Sequence, residues 1–152
     1  MSLRTWAGRS GSGGFTLVEM LVVVAIIGML VGVATVTVLK YLDRARADTA
    51  RLEIANMKTA VQKYAMDIGA PPSQQEGLNV LLEKPADDAK ARRWDGPYLD
   101  VEEIPVDPWG NAYIYFSPGE GNAAFEIISL GKDGTQGGEG SNADISSRRL
   151  AK

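Results

Sequence analysis

Hydrophobic residues are spread unevenly along the chain. From Phe15 to Leu39 the sequence is an apolar run in which Glu19 is the only charge, and Met20–Leu39 carries none. A helix of that length, rising about 1.5 Å per residue, covers about 30 Å, the thickness of a bilayer's hydrocarbon core. Uncharged runs this long read as membrane spans rather than buried core helices. Beyond Lys40 the pattern changes period. Ala50, Ile54, Met57, Val61, Tyr64 and Ile68 recur at alternating steps of four and three, which places all six on one face of an amphipathic helix. Gly69 and Pro71-Pro72 stop it. No linker separates the two halves, so the pattern predicts one long helix, apolar all round at first and amphipathic afterwards.

The rest of the chain must pack on the amphipathic half. Gly77–Glu83, with Leu78, Leu81 and Leu82, predicts a short helix closed by Pro85, and the charged stretch Asp87–Arg93 reads as a surface loop. Ala112–Phe116 and Ala124–Leu130 have strand character, and the turn cluster Pro118–Asn122 between them predicts an antiparallel hairpin. The aromatic side chains of the first strand serve cross-strand packing more readily than ligand binding. The expected fold class is α+β: a long N-terminal helix whose amphipathic half packs on a small antiparallel sheet.

Composition narrows the function. The 152 residues include 16 basic and 19 acidic side chains, a formal charge of -3, too mild and too mixed for a nucleic-acid binder. With no Cys and no His, disulfides, thiolate-zinc sites, cysteine nucleophiles and His-dependent acid-base mechanisms are excluded. No phosphate-cradling loop precedes a Lys, and no acid is set beside a base, so the expectation is a protein without enzymatic activity.

The N-terminus explains the span. Met1–Gly14 carries Arg4 and Arg9, no acid, and a Gly/Ser-rich end. A secretory signal would place small residues after its apolar core, whereas here they precede it. Arg4 and Arg9 favour a cytoplasmic N-terminus, against a weaker vote from Lys40, Arg44 and Arg46. Glu19 costs about 3 kcal/mol inside an apolar segment and calls for a partner or a function, though its position near the helix start also allows snorkelling to the interface. Gly28 and Gly32 form a Gly-x-x-x-Gly spacing that admits a second helix.

The string Gly14-Phe15-Thr16-Leu17-Val18-Glu19-Met20 and the apolar run behind it resemble the class III signal sequence of type IV pilins and type II secretion pseudopilins. The resemblance implies that a prepilin peptidase cuts between Gly14 and Phe15 and methylates the new Phe15 amine, and that subunits leave the membrane to stack as a filament. Cleavage would place an ammonium at Phe15 one helical turn from Glu19. The expectation is that Glu19 pairs with the Phe15 amine of a neighbouring subunit, where low dielectric makes an unpaired carboxylate expensive.

Pro105-Val106-Asp107-Pro108-Trp109-Gly110-Asn111 resembles the hallmark segment of the major pseudopilins, the general secretion pathway protein G family. Gln75-Glu76-Gly77-Leu78, Gly96-Pro97-Tyr98-Leu99 and Ser129-Leu130-Gly131-Lys132-Asp133-Gly134 carry the same likeness, in order. The loop from Gly131 to Asp144 is Gly-rich, with three carboxylates. Oxygen donors suit Ca2+, although the spacing is not that of an EF-hand and composition alone favours a solvated loop. The resemblance implies one calcium, with Asp133 and Asp144 as carboxylate ligands and the Leu130 carbonyl as a third; Glu139 and Ser146 match less firmly.

The organisation expected is a cleaved leader at 1–14, a transmembrane and assembly helix at 15–39, and a periplasmic domain at 40–152 ending in a calcium loop. The partners implied are copies of the chain itself, minor pseudopilins, the inner-membrane secretion platform, a prepilin peptidase, and membrane lipid before assembly. The function implied is a major pseudopilin subunit of a type II secretion system, whose periplasmic pseudopilus exports folded proteins. A pilin for adhesion or motility, and a single-pass calcium-dependent binding protein, are the alternatives.

Overall fold

A computed structural model describes residues 14–150, without the side chains of residues 32–37. The leader expected at 1–14 therefore lies outside the described residues, apart from Gly14. The chain divides between Lys40 and Tyr41 into two units.

The first unit holds the start of α1, Leu17–Ile68, the long helix expected from the pattern. Thr16 sits at its N-terminal edge. The Glu19 N–H donates to Thr16 Oγ1 at 3.2 Å, and the Thr16 N–H donates to Glu19 Oε2 at 3.3 Å. This reciprocal capping box satisfies two of the backbone donors that a helix start otherwise leaves open. The side chains from Phe15 to Leu30 are exposed, Phe15 by 76% and Leu17 by 81%. Among the described residues no helix is long and apolar enough to cross a membrane. The span expected at 15–39 includes residues 32–37, so it falls partly outside the described side chains.

The second unit is built on the C-terminal part of α1. Ala50, Ile54, Met57, Val61, Tyr64 and Ile68, the predicted face, are all buried, and Ala60 joins them. Fully burying a side chain such as Ile54 or Val61 is worth about 1.5–3 kcal/mol, so this face anchors the domain. Gly69 ends the helix at φ +97°, its N–H donating to the Ala65 carbonyl at 2.8 Å.

Three strands follow: β1, Ile114–Phe116; β2, Glu126–Ser129; and β3, Ile145–Ser146. They form one antiparallel sheet in the order β1-β2-β3, with Tyr115 opposite Ile127 and Ile128 opposite Ser146. The hairpin is the predicted one, shorter at its ends. Side chains clasp sheet and helix together: the Tyr113 hydroxyl donates to Glu53, Tyr115 to the Pro72 carbonyl at 2.8 Å, and Lys58 Nζ to the Ser147 carbonyl at 3.0 Å. Burial, the hydrogen bond to Glu53 and its negative charge push the Tyr113 hydroxyl far above its ordinary pKa, and burial first of all pushes Tyr115 up to about 12.

The short helix expected over Gly77–Glu83 is a single 3-10 turn, Asn79–Leu81. Gly77 stands at φ +61°, which breaks helical continuity; of the predicted leucines Leu78 and Leu81 are buried and Leu82 is half-buried, while Val80 joins the core. The charged stretch Asp87–Arg93, read as a loop, contains a one-turn helix α2, Asp88–Ala91, capped by Asp87 Oδ1 accepting from the Lys90 N–H at 2.9 Å. Lys90 Nζ also reaches Glu76 at 2.7 Å. Burial alone would push the Glu76 carboxyl up, but hydrogen bonds from Lys90 and Ser73 outweigh it and hold the group below its ordinary value.

Candidate functional site

Two places carry the residues singled out by the sequence. At the start of α1, Gly14 and Phe15 are exposed, and Glu19 lies one turn beyond Phe15 with its carboxylate already engaged by the Thr16 backbone. The sequence reading assigned Glu19 to a neighbour and missed this local role, although Thr-x-x-Glu ahead of an apolar run is a helix-start signature.

The second place is the loop between β2 and β3. Leu130 is half-buried at the end of β2, Asp133 is exposed, and Asp144 is half-buried just before β3. Asp133 Oδ1 accepts from the Thr135 N–H at 3.1 Å, and Asp144 Oδ2 accepts from the Gly137 N–H at 2.9 Å. Asp144 Oδ1 is buried with no hydrogen-bond partner among the described residues. Glu139 is exposed, and the Ser146 hydroxyl donates to Glu126 Oε1 at 2.5 Å. Among the described residues no three carboxylates gather into a metal-holding cluster, so carboxylates alone do not supply the six to eight oxygens that Ca2+ takes. The loop is fastened at its outset by Lys132 Nζ, 3.1 Å from Asp43 Oδ2 on α1, and by the Lys132 N–H on the Ser141 carbonyl at 3.0 Å.

Beneath the loop lies a network that sequence reasoning did not find. Asp107 is 2% exposed. Its Oδ1 accepts from the N–H groups of Trp109 and Asn111, at 3.1 and 2.8 Å, and its Oδ2 accepts from the Ser129 hydroxyl at 2.6 Å. Ser129 Oγ in turn accepts from the Gly131 N–H at 3.2 Å, and Asn111 Nδ2 donates to the Gly131 carbonyl at 2.9 Å. The Asp-Pro-x-Gly-Asn composition signals the turn around Asp107. Nothing local signals that Ser129 would meet it. A second buried carboxylate, Glu126, takes the Ser146 hydroxyl, the Glu120 N–H at 3.1 Å and the Arg148 guanidinium at 3.7 Å.

A long helix that opens on a capped Gly-Phe-Thr-x-x-Glu string and packs its amphipathic half on a small antiparallel sheet is the architecture of a type IV pilin-like subunit. Residues 37–148 match the family described as "Type II secretion system (T2SS), protein G", and residues 9–35 match the "Prokaryotic N-terminal methylation motif". The chain is 40% identical to the type II secretion system core protein G of Pseudomonas aeruginosa, over 90% of this chain and 95% of that one. It is 36% identical to the protein of the same name from Vibrio cholerae, over 87% and 88% of the two chains. The crystal structure of the major pseudopilin from the type 2 secretion system of enterohaemorrhagic Escherichia coli is similar with a TM-score of 0.57 and 25% identity, covering 72% of this chain and 91% of that one. The chain belongs to the type II secretion system protein G family, a family of structural pseudopilins.

Proposed function

We propose that this chain is the filament-forming subunit of a type II secretion system. A prepilin peptidase cuts between Gly14 and Phe15 and methylates Phe15. The helix then holds the subunit in the inner membrane, with its N-terminus cytoplasmic and its globular domain periplasmic. On the secretion platform, copies stack with one another and with minor pseudopilins, and the growing pseudopilus drives folded proteins outward. The observation that carries this reading is the exposed apolar start of α1, since contiguous apolar surface of this extent marks a membrane or assembly interface. During assembly Glu19 meets the Phe15 amine of a neighbour, cancelling two charges in a low-dielectric setting.

The same reading gives the Gly131–Asp144 loop one calcium ion, held by Asp133, Asp144 and the Leu130 carbonyl. Support comes from Asp144 Oδ1, a buried carboxylate oxygen that no described donor satisfies. Leaving such an oxygen without a partner costs about 1–3 kcal/mol or more, and a hard cation with oxygen ligands removes that cost. The ion would also order a stretch whose glycines make ordering expensive.

The test is the intact mass of the chain recovered from membranes of cells with and without a prepilin peptidase. The expected product with the peptidase lacks Met1–Gly14 and carries one added methyl group. Material that keeps its leader and stays monomeric while secretion is active would overturn the proposal.

A further inference from the structure

The Leu130 carbonyl and Asp133 can bind one ion only if the backbone between them is held, and the network beneath the loop holds it at two successive peptide planes. In a trans peptide the C=O and the N–H of one plane point in opposite directions. The plane joining Leu130 to Gly131 is pinned on its N–H side by Ser129 Oγ, at 3.2 Å, so the Leu130 carbonyl is turned away from Ser129. Ser129 is itself fixed, because its single hydroxyl proton is committed to Asp107 Oδ2 at 2.6 Å. The next plane is pinned by its carbonyl, which takes the Asn111 Nδ2 proton at 2.9 Å. The Asn111 carboxamide also fills the inside of the following turn: a Cβ added at Gly134 would lie 3.1 Å from Asn111 Oδ1, and Gly134 directly follows Asp133. Gly131 and Gly134 stand at φ +67° and +65°, a region L side chains avoid, so the turn wraps tightly around Asn111.

We infer that Asn111 and Ser129, backed by Asp107, are positioning residues for the metal loop: they touch no ion but aim the Leu130 carbonyl and fix the turn that presents Asp133. The inference rests on the calcium reading proposed above. Groups that orient metal ligands from outside the ligand set typically change affinity by about 10- to 100-fold when removed.

The experiment uses the full chain purified in detergent, with Ca2+ alone as the probe. It combines calorimetric titration for Kd with thermal melts in Ca2+ and in chelator. Asn111→Ala is expected to weaken calcium binding by about tenfold or more. It should also lower the melting temperature more in Ca2+ than in chelator, because the lost stability is the lost binding. Asn111→Leu keeps much of the size and removes the amide donor without adding charge beside the loop, and is expected to weaken binding similarly should the alanine variant fail to fold. Asp67→Asn, which disturbs the Tyr98 hydroxyl pair elsewhere on the domain, serves as the control for general destabilisation and should leave Kd unchanged. Wild-type affinity in the Asn111 variants, or an equal melting loss with and without calcium, overturns the positioning role alone. A wild-type chain that binds no calcium overturns both this inference and the reading beneath it.

Discussion

Replacing Asp107 tests how the domain is held together around the loop between β2 and β3. Its carboxylate is 2% exposed and accepts three hydrogen bonds, from Trp109, Asn111 and Ser129. Bonds to a charged group contribute about 1.5–3 kcal/mol each, but they share one acceptor and do not add in full. Asp107→Ala strands the Ser129 hydroxyl and two backbone N–H groups at once, and the expected loss is about 3–5 kcal/mol. For a domain of this size each kcal/mol lowers the melting temperature by about 4–8 °C, which gives a drop of about 12 °C at least. Asp107→Asn is the finer probe. Its carbonyl oxygen can serve the two backbone donors, but its amide meets Ser129 Oγ, which already accepts from Gly131, and the serine proton loses its acceptor. The expected cost is that of one charged bond, about 1.5–3 kcal/mol. The assay is thermal unfolding of the full chain in detergent followed by tryptophan fluorescence, since Trp94 and Trp109 both pack against the core. An alanine variant melting within about 2 °C of wild type would refute the reasoning, because the network would then be an arrangement without energetic content.

Other expectations follow from single contacts. The Glu76 carboxyl is held below its ordinary value, so the Lys90–Glu76 pair is fully stabilising above about pH 4.5 and loses its contribution as acid protonates the folded carboxyl. Melting temperatures measured from pH 6 to pH 3 should therefore fall more steeply for wild type than for Glu76→Gln, and parallel curves would count against the pair. Adding chelator at fixed protein concentration should lower the melting temperature of the wild-type chain, and coincident melts would dispose of the calcium loop. Glu19→Val should abolish or sharply reduce filament formation in electron micrographs while the globular domain melts unchanged; normal filaments would remove the charge pairing from assembly. Ile127→Ala, at a fully buried position on β2, should cost about 2–5 kcal/mol in urea titration.

The parts of the fold written in periodicity are the parts the sequence makes legible. Six residues from Ala50 to Ile68 predicted a buried stripe and form one, because a helix repeats its face every three or four positions whatever surrounds it. The hairpin was legible from its turn cluster. β3 was not, since two residues at Ile145–Ser146 are too few for an alternation to register. The one-turn helix at Asp88–Ala91 escaped for a related reason, and the short helix expected over Gly77–Glu83 shrank to the 3-10 turn Asn79–Leu81: elements this short are decided by a cap or a neighbouring core residue rather than by pattern. In the loop between β2 and β3, Asp133, Asp144 and Leu130 were legible only through the family resemblance. The bracket beneath them joins residues 107, 111, 129 and 131, whose meeting depends on how the sheet closes and leaves no trace in spacing.

The reciprocal pairing of Thr16 and Glu19 bears on assembly. Because the first turn closes with its own atoms, the helix start needs no second chain to satisfy its backbone. Under the assembly proposed above, a newcomer would have no coil to finish and only a charge to cancel.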